Sequence, residues 1–149
     1  MKIAIGCDHN GLVLKRALMD LLQEEGHSFY DFGCYDSSSV DYPDIATEVA
    51  EAVAKKGFER GFLVCGTGIG MSITSNKVKG IRAALCHDAY TARMAREHND
   101  ANVLCLGGNV LAPPFARDIA RSFLSTQFNG AKEERHARRV NKIRALEQS

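Results

Sequence analysis

Gly61-Phe62-Leu63-Val64-Cys65-Gly66-Thr67-Gly68-Ile69-Gly70 is the stretch from which the rest of the chain can be read. Gly61 to Cys65 is a short apolar run with the length and composition of a buried strand. The G-T-G-I-G segment after it makes a tight turn that opens a short helix. Strand, glycine-rich turn and helix in that order form the repeating unit of an open α/β sheet.

The same alternation extends in both directions. Toward the N-terminus, Lys2 to Cys7 reads as a strand, and Leu14, Leu18, Leu21 and Leu22 mark one face of a helix that Gly26 ends. Ser28 to Phe32 reads as a strand, and a polar loop follows through Ser37-Ser38-Ser39. Asp41-Tyr42-Pro43-Asp44 then carries helix-start signals, because proline suits a first turn and acidic groups suit the positive end of the dipole. That helix runs through Ile45, Val49, Ala52 and Val53 to Gly57. Toward the C-terminus come a strand over Ile81 to Cys86, a helix over Asp88 to Glu97 and a strand over Val103 to Leu106. Helices over Pro113 to Phe128 and Glu133 to Leu146 close the chain. Strands separated by helices of this length imply right-handed crossovers and a parallel sheet covered on both faces. The sequence therefore predicts one doubly wound, Rossmann-like α/β domain over residues 1–149, with a five-stranded parallel sheet. The last helix, more charged than a core helix, is an addition to it.

Composition narrows the classes of function. The 149 residues suffice for one domain with a real core, and 45% hydrophobic with 25% charged residues is the balance of a soluble globular protein. A net charge of +1 gives no field that would steer the chain to nucleic acid or an anionic membrane. No apolar run is long enough to span a bilayer, and the start of the chain does not resemble a signal peptide. The expected location is the cytoplasm. Cys7, Cys34, Cys65, Cys86 and Cys105 are odd in number and form no C-x-x-C pair, so reduced thiols are expected rather than disulfides or a zinc site.

Ligands of open parallel sheets bind beyond the carboxyl ends of the strands. Those ends are Cys7-Asp8-His9-Asn10-Gly11, Cys65 to Gly70, Cys86-His87-Asp88 and Gly107-Gly108-Asn109, so ionisable, nucleophilic and glycine-rich segments gather at one edge. The amides of Gly66 to Gly70 form a nest suited to an anion or oxyanion, or simply a strand-to-helix turn. The spacing matches neither a dinucleotide fingerprint nor a P-loop. Cys65, at the last strand position before a helix, is placed where a thiolate is favoured; the alternative is a packed structural cysteine. Thr67 reads as a hydroxyl donor or a helix cap, and Asp8-His9 as an acid–base pair or a cap beside a satisfied histidine. Asp88 is best read as a cap. Cys86 and His87 lack further ligands at metal spacing.

His98-Asn99-Asp100 closes the fourth helix, at the opposite edge of the sheet from Cys65. If it is catalytic, the simplest geometry brings it from a second subunit. In the last helix Arg135 and Arg139 share a face, which suits a phosphate or is merely a solvated stripe. Without aromatic interleaving the basic run does not read as a nucleic-acid site.

Taken together, C-D-H-x-G, D-Y-P-D, C-G-T-G-I-G-M-S-I-x-x-N-K, G-I-R-A and R-E-H-N-D-A-N-V-L resemble ribose-5-phosphate isomerase B, from Met1 to about Leu146. The wider family includes isomerases of allose 6-phosphate and galactose 6-phosphate. The resemblance implies aldose–ketose isomerisation of ribose 5-phosphate, as in the pentose phosphate pathway, with no metal or organic cofactor. It implies that Cys65 moves the proton between C1 and C2, Thr67 moves the hydroxyl proton, and the amides of Gly66, Gly68, Ile69 and Gly70 hold the oxyanion. His98, with Asp8, would open the furanose ring. His9, Arg135 and Arg139 would hold the phosphate, and Asn99 would touch the sugar. Asn109 stands where many relatives carry an arginine near the phosphate. Met71 stands where one subgroup has a glutamate base, which leaves Cys65 as the base. The family's homodimers, sometimes paired into tetramers, share active sites between subunits. The competing reading from the residues alone is a non-catalytic phosphate-binding α/β module with a structural Cys65.

Overall fold

Successive side chains of a strand point to opposite faces of the sheet, and this chain buries both. The computed structural model describes residues 1–55 and 57–148. Strands β1 (Lys2–Cys7), β2 (Ser28–Asp31), β3 (Arg60–Cys65), β4 (Ala83–Leu85) and β5 (Val103–Gly107) form one all-parallel sheet in the order β2-β1-β3-β5-β4. Ile3, Ile5, Phe62, Val64, Leu104 and Leu106 point to one core, while Ala4, Leu63, Cys65, Val103 and Cys105 point to the other.

Handedness decides which helix covers which core. The steps β1 to β2 and β4 to β5 move one way along the sheet, and β2 to β3 and β3 to β4 move the other. Right-handed crossovers therefore place α1 (Leu12–Glu24) and α4 (Ala89–Asn99) on one face, with α2 (Tyr42–Ala54) and α3 (Ile69–Ser75) on the opposite one. The packing agrees: α5 (Pro113–Ser125) lies against both α1 and α4, and α2 lies against α3. The Rossmann-like reading thus holds. No helix among the described residues is long and apolar enough to cross a membrane.

Several boundaries differ from the sequence reading. β4 covers Ala83–Leu85 rather than Ile81 to Cys86, because it is an edge strand with one neighbour. The Asn76 side chain takes the outward groups of Ala83, its Oδ1 accepting from the Ala83 N–H at 2.9 Å and its Nδ2 donating to the carbonyl at 3.0 Å. β2 stops at Asp31 and α5 at Ser125, where Thr126 turns extended. Gly57 lies beyond the end of α2, which closes on Ala54 with Lys55 as cap. α4 continues to Asn99 and is ended by Asp100 in the left-handed region (φ 48°).

The last helix, α6 (Glu134–Leu146), docks on α4 through its two buried residues, His136 and Val140. Asp100 ties this corner together. Its carboxylate accepts from Arg96 at 3.0 Å and Arg82 at 3.1 Å, and pairs with Arg144 of α6 at 3.5 Å. Arg96 is fully buried over the Phe123 ring and also donates to the Ala101 carbonyl at 2.6 Å. A buried guanidinium without its counter-charge is strongly destabilising. Asp100→Asn, which keeps the left-handed backbone and the shape, is expected to cost about 3 kcal/mol in urea unfolding; an unchanged midpoint would show that the carboxylate charge contributes nothing.

Candidate functional site

β1, β3 and β5 are neighbours in the sheet, so their carboxyl ends meet. The chain reverses its direction of travel between β1 and β3, the place where open α/β sheets form a crevice. Backbone bonds continue past the strands and lace the loops together. The Asp8 N–H donates to the Val64 carbonyl at 3.0 Å, the Gly108 N–H to the Cys65 carbonyl at 2.7 Å, and the Asn109 N–H to the Gly66 carbonyl at 2.9 Å.

Cys65 is 5% exposed, and its sulfur accepts the Gly68 N–H at 3.1 Å. Only a glycine suits position 68: φ is +78°, and a Cβ there would lie 2.6 Å from Leu85 Cδ1 and 2.9 Å from the Leu106 carbonyl carbon. Other thiols are packing. Burial pushes the Cys7 thiol up to about 12 and that of Cys86 up to about 11, and raises Cys105 well above 9.0. Thr67 is exposed, and its Oγ1 accepts the Ile69 N–H at 3.3 Å. Asp8 is buried, and its Oδ1 accepts the Asn10 N–H at 2.9 Å. His9 Nδ1 accepts the Val40 N–H at 3.3 Å. Asp88 caps α4, its carboxylate held low by the Thr91 N–H.

Two residues at the crevice, Asn10 and Tyr42, were not among the candidates from sequence, whereas Asn109 was. Asn10 and Asn109 flank Gly66, their amide nitrogens 3.6 and 3.1 Å from where a Cβ would stand. The ring of Tyr42 lies against Gly70, within 2.5 Å of a Cβ built there. D-Y-P-D reads as a helix start and as part of the family resemblance, with no role given to Tyr42, although its place before α2 puts it at this edge.

The remaining candidates form a second group. α4 runs antiparallel to the strands, so His98 and Asn99 lie beside the amino ends of β4 and β5; Arg82, just before β4, donates to the Asn99 carbonyl at 3.1 Å. Arg135 and Arg139 sit on α6, which packs on α4. The His98 ring stacks on His136 with centroids 4.3 Å apart and a 35° tilt. Within one chain, Asp8, His9, Cys65, Gly66, Thr67, Gly68, Ile69, Gly70 and Asn109 thus share one edge, and His98, Asn99, Arg135 and Arg139 the other.

Comparison with known proteins gives the family. A family model described as Ribose/Galactose Isomerase matches residues 3–143. The chain belongs to that family. The ribose/galactose isomerase family places it beside ribose-5-phosphate isomerase B of Escherichia coli, to which it is 44% identical over 99% of this chain and 97% of that one. It is also 44% identical to a D-erythrulose-4-phosphate isomerase of Pectobacterium atrosepticum, over 87% of this chain and 86% of that one. The solved structure of ribose-5-phosphate isomerase B from Clostridium thermocellum superposes with a TM-score of 0.95 at 51% identity, covering 99% of this chain and 98% of that one.

Two measurements check this geometry. Gly80 is also left-handed (φ +87°) but has open space around its Cβ position. Gly80→Ala should cost about 1 kcal/mol of stability for the backbone alone, whereas Gly68→Ala should add about 1–3 kcal/mol for the collision with β5; equal midpoints would mean the loop yields freely. Burial first, then the charges of His98 and Arg135, hold the His136 imidazole below its ordinary 6.5. As pH drops through 6.5 the unfolded chain takes up this proton before the folded one does, so stability falls. His136→Leu should flatten the fall in melting temperature between about pH 7 and pH 5.5.

Proposed function

We propose that the chain interconverts D-ribose 5-phosphate and D-ribulose 5-phosphate, a step of the pentose phosphate pathway, with Cys65 as the base. The observation that carries this reading is the Cys65 sulfur set against the Gly68 amide inside the G-T-G-I-G loop, which puts a proton carrier and a row of amide donors in one crevice. The names of the similar proteins support the same chemistry.

Cys65 as thiolate takes the C2 proton of the open-chain aldose and returns it to C1, so that bonding electrons pass through an enediolate. Thr67 moves the hydroxyl proton between O2 and O1, and the amides of Gly66 to Gly70 hold the developing oxyanion. Met71 is fully buried and supplies no carboxylate, so the thiol has no competitor at that position. His98 and Asp8 act earlier, taking the O1 proton and returning one to the ring oxygen.

The substrate's phosphate decides the assembly. Asp8 to Gly11, Cys65 to Gly70 and Gly107 to Asn109 include no lysine or arginine, whereas Arg135 and Arg139 stand at the other edge. A homodimer of antiparallel copies brings the partner's Arg135, Arg139, His98 and Asn99 to each Cys65, completing both crevices by the same two-fold operation. An apolar face is available for that contact. Ile69 and Ile73 on α3 are 50% and 58% exposed, beside a cavity of about 510 Å³ lined by Ala83, Ala84, Asn99 and Ile143. The free thiols and ordinary charge fit a cytoplasmic enzyme. A second reading keeps the enzyme and changes the sugar, because a relative this similar is named for a four-carbon ketose phosphate; D-erythrulose 4-phosphate is the substrate to try on that reading, beside the allose 6-phosphate of the wider family.

Ribose 5-phosphate conversion by the wild-type chain should be measurable, and Cys65→Ala should lower it at least about 100-fold with unchanged folding. An active Cys65→Ala chain would dismiss the thiol as base. Inactive Cys65→Ala and inactive His98→Ala chains, refolded together, should regain about a quarter of wild-type activity, since half of random pairs carry one intact shared site. Failure to recover any activity would place each site within a single chain.

A further inference from the structure

We propose that Tyr42 is a positioning residue of this site, its ring forming the wall that sets the Gly66–Gly70 loop beneath the reacting carbons. The inference rests on the isomerase reading for its kinetic consequence but not for its geometry.

Tyr42 opens α2, and the element after Cys65, α3, packs against that helix. A Cβ on Gly70 would come within 2.5 Å of Tyr42 Cε2, 2.6 Å of Cζ and 2.9 Å of Cδ2, so the ring lies directly against Gly70. The other side of the loop is fixed as tightly, because Gly68 presses on Leu85 and the Leu106 carbonyl. The loop is therefore clamped between β5 and one aromatic ring. The backbone that carries the ring is itself held: Pro43 fixes the first turn of α2, and Thr47 Oγ1 donates to the Pro43 carbonyl at 2.7 Å. Backbone donors of an oxyanion site lose their effect when displaced by about an ångström. A wall behind Gly70 prevents that displacement.

The wall requires a flat ring and no hydroxyl, so Tyr42→Phe should behave as wild type. Tyr42→Ala should lower kcat for ribose 5-phosphate about 10–100-fold while leaving KM within about twofold, because the phosphate is held elsewhere. Gly70→Ala should lower kcat in the wild-type background, and should lower it no further in Tyr42→Ala, where its collision partner is gone. Amide exchange read by mass spectrometry gives a test that needs no substrate: the peptide spanning Gly66 to Gly70 should exchange faster in Tyr42→Ala and at the wild-type rate in Tyr42→Phe. Unchanged exchange in Tyr42→Ala, additive losses in the double variant, or no rescue by phenylalanine would each overturn the proposal. If exchange responds as described but the wild-type chain converts no ribose 5-phosphate, the wall stands and the isomerase reading falls.

Discussion

Backbone hydrogen bonds that run one step past the ends of the strands hold this molecule's crevice in shape. The Asp8 amide on the Val64 carbonyl, the Gly108 amide on Cys65 and the Asn109 amide on Gly66 extend the sheet's own ladder into the loops. The loops are therefore as fixed in register as the strands beneath them. A thiol at the end of β3 and a row of amides after it can keep their relative positions because their supports are main chain, with no rotamer freedom to lose. The close approaches at Gly11, Gly68 and Gly108 follow, since a Cβ at each would meet backbone of a neighbouring loop or strand.

The order of elements was legible because each strand is an apolar run bounded by glycine or polar loops, and each helix has a clear apolar stripe. The sheet order was not, because β4 and β5 look alike in sequence and only the crossovers place β5 inside β4. Boundaries differed where tertiary context decides them: β4 is short at the sheet's edge, with one neighbouring strand, and the Arg96 guanidinium meets the Thr126 carbonyl just after α5 ends. Cys65, Asp8 and the glycine loop could be found by one rule about strand ends. Tyr42 escaped that rule because it approaches the crevice from the start of a helix.

His98 was the more instructive case. Its distance from Cys65 could be read from the sequence, since a residue closing a crossover helix must lie at the far edge. The cause of its rigidity could not. Asp100 gathers arginines from α4, from the approach to β4 and from α6, and so fixes the end of α4 and the attached helix as one corner. Nothing in the spacing of R-E-H-N-D announces that the aspartate, rather than the histidine beside it, organises the region. The corner holds the end of α4 and the attached α6 as a unit, so the His98 and His136 rings keep their stacked arrangement.

The edge strand β4 bears on whether the sheet can grow. A sheet that ends in an open strand invites another strand to add to it, and unlimited addition makes fibres. Here the Asn76 amide already occupies the outward N–H and carbonyl of Ala83, imitating the peptide group of a neighbour that is not there. An incoming strand finds that rung taken. Strand addition at that rung would first have to displace a hydrogen-bonded side chain, which discourages growth of the sheet beyond β4.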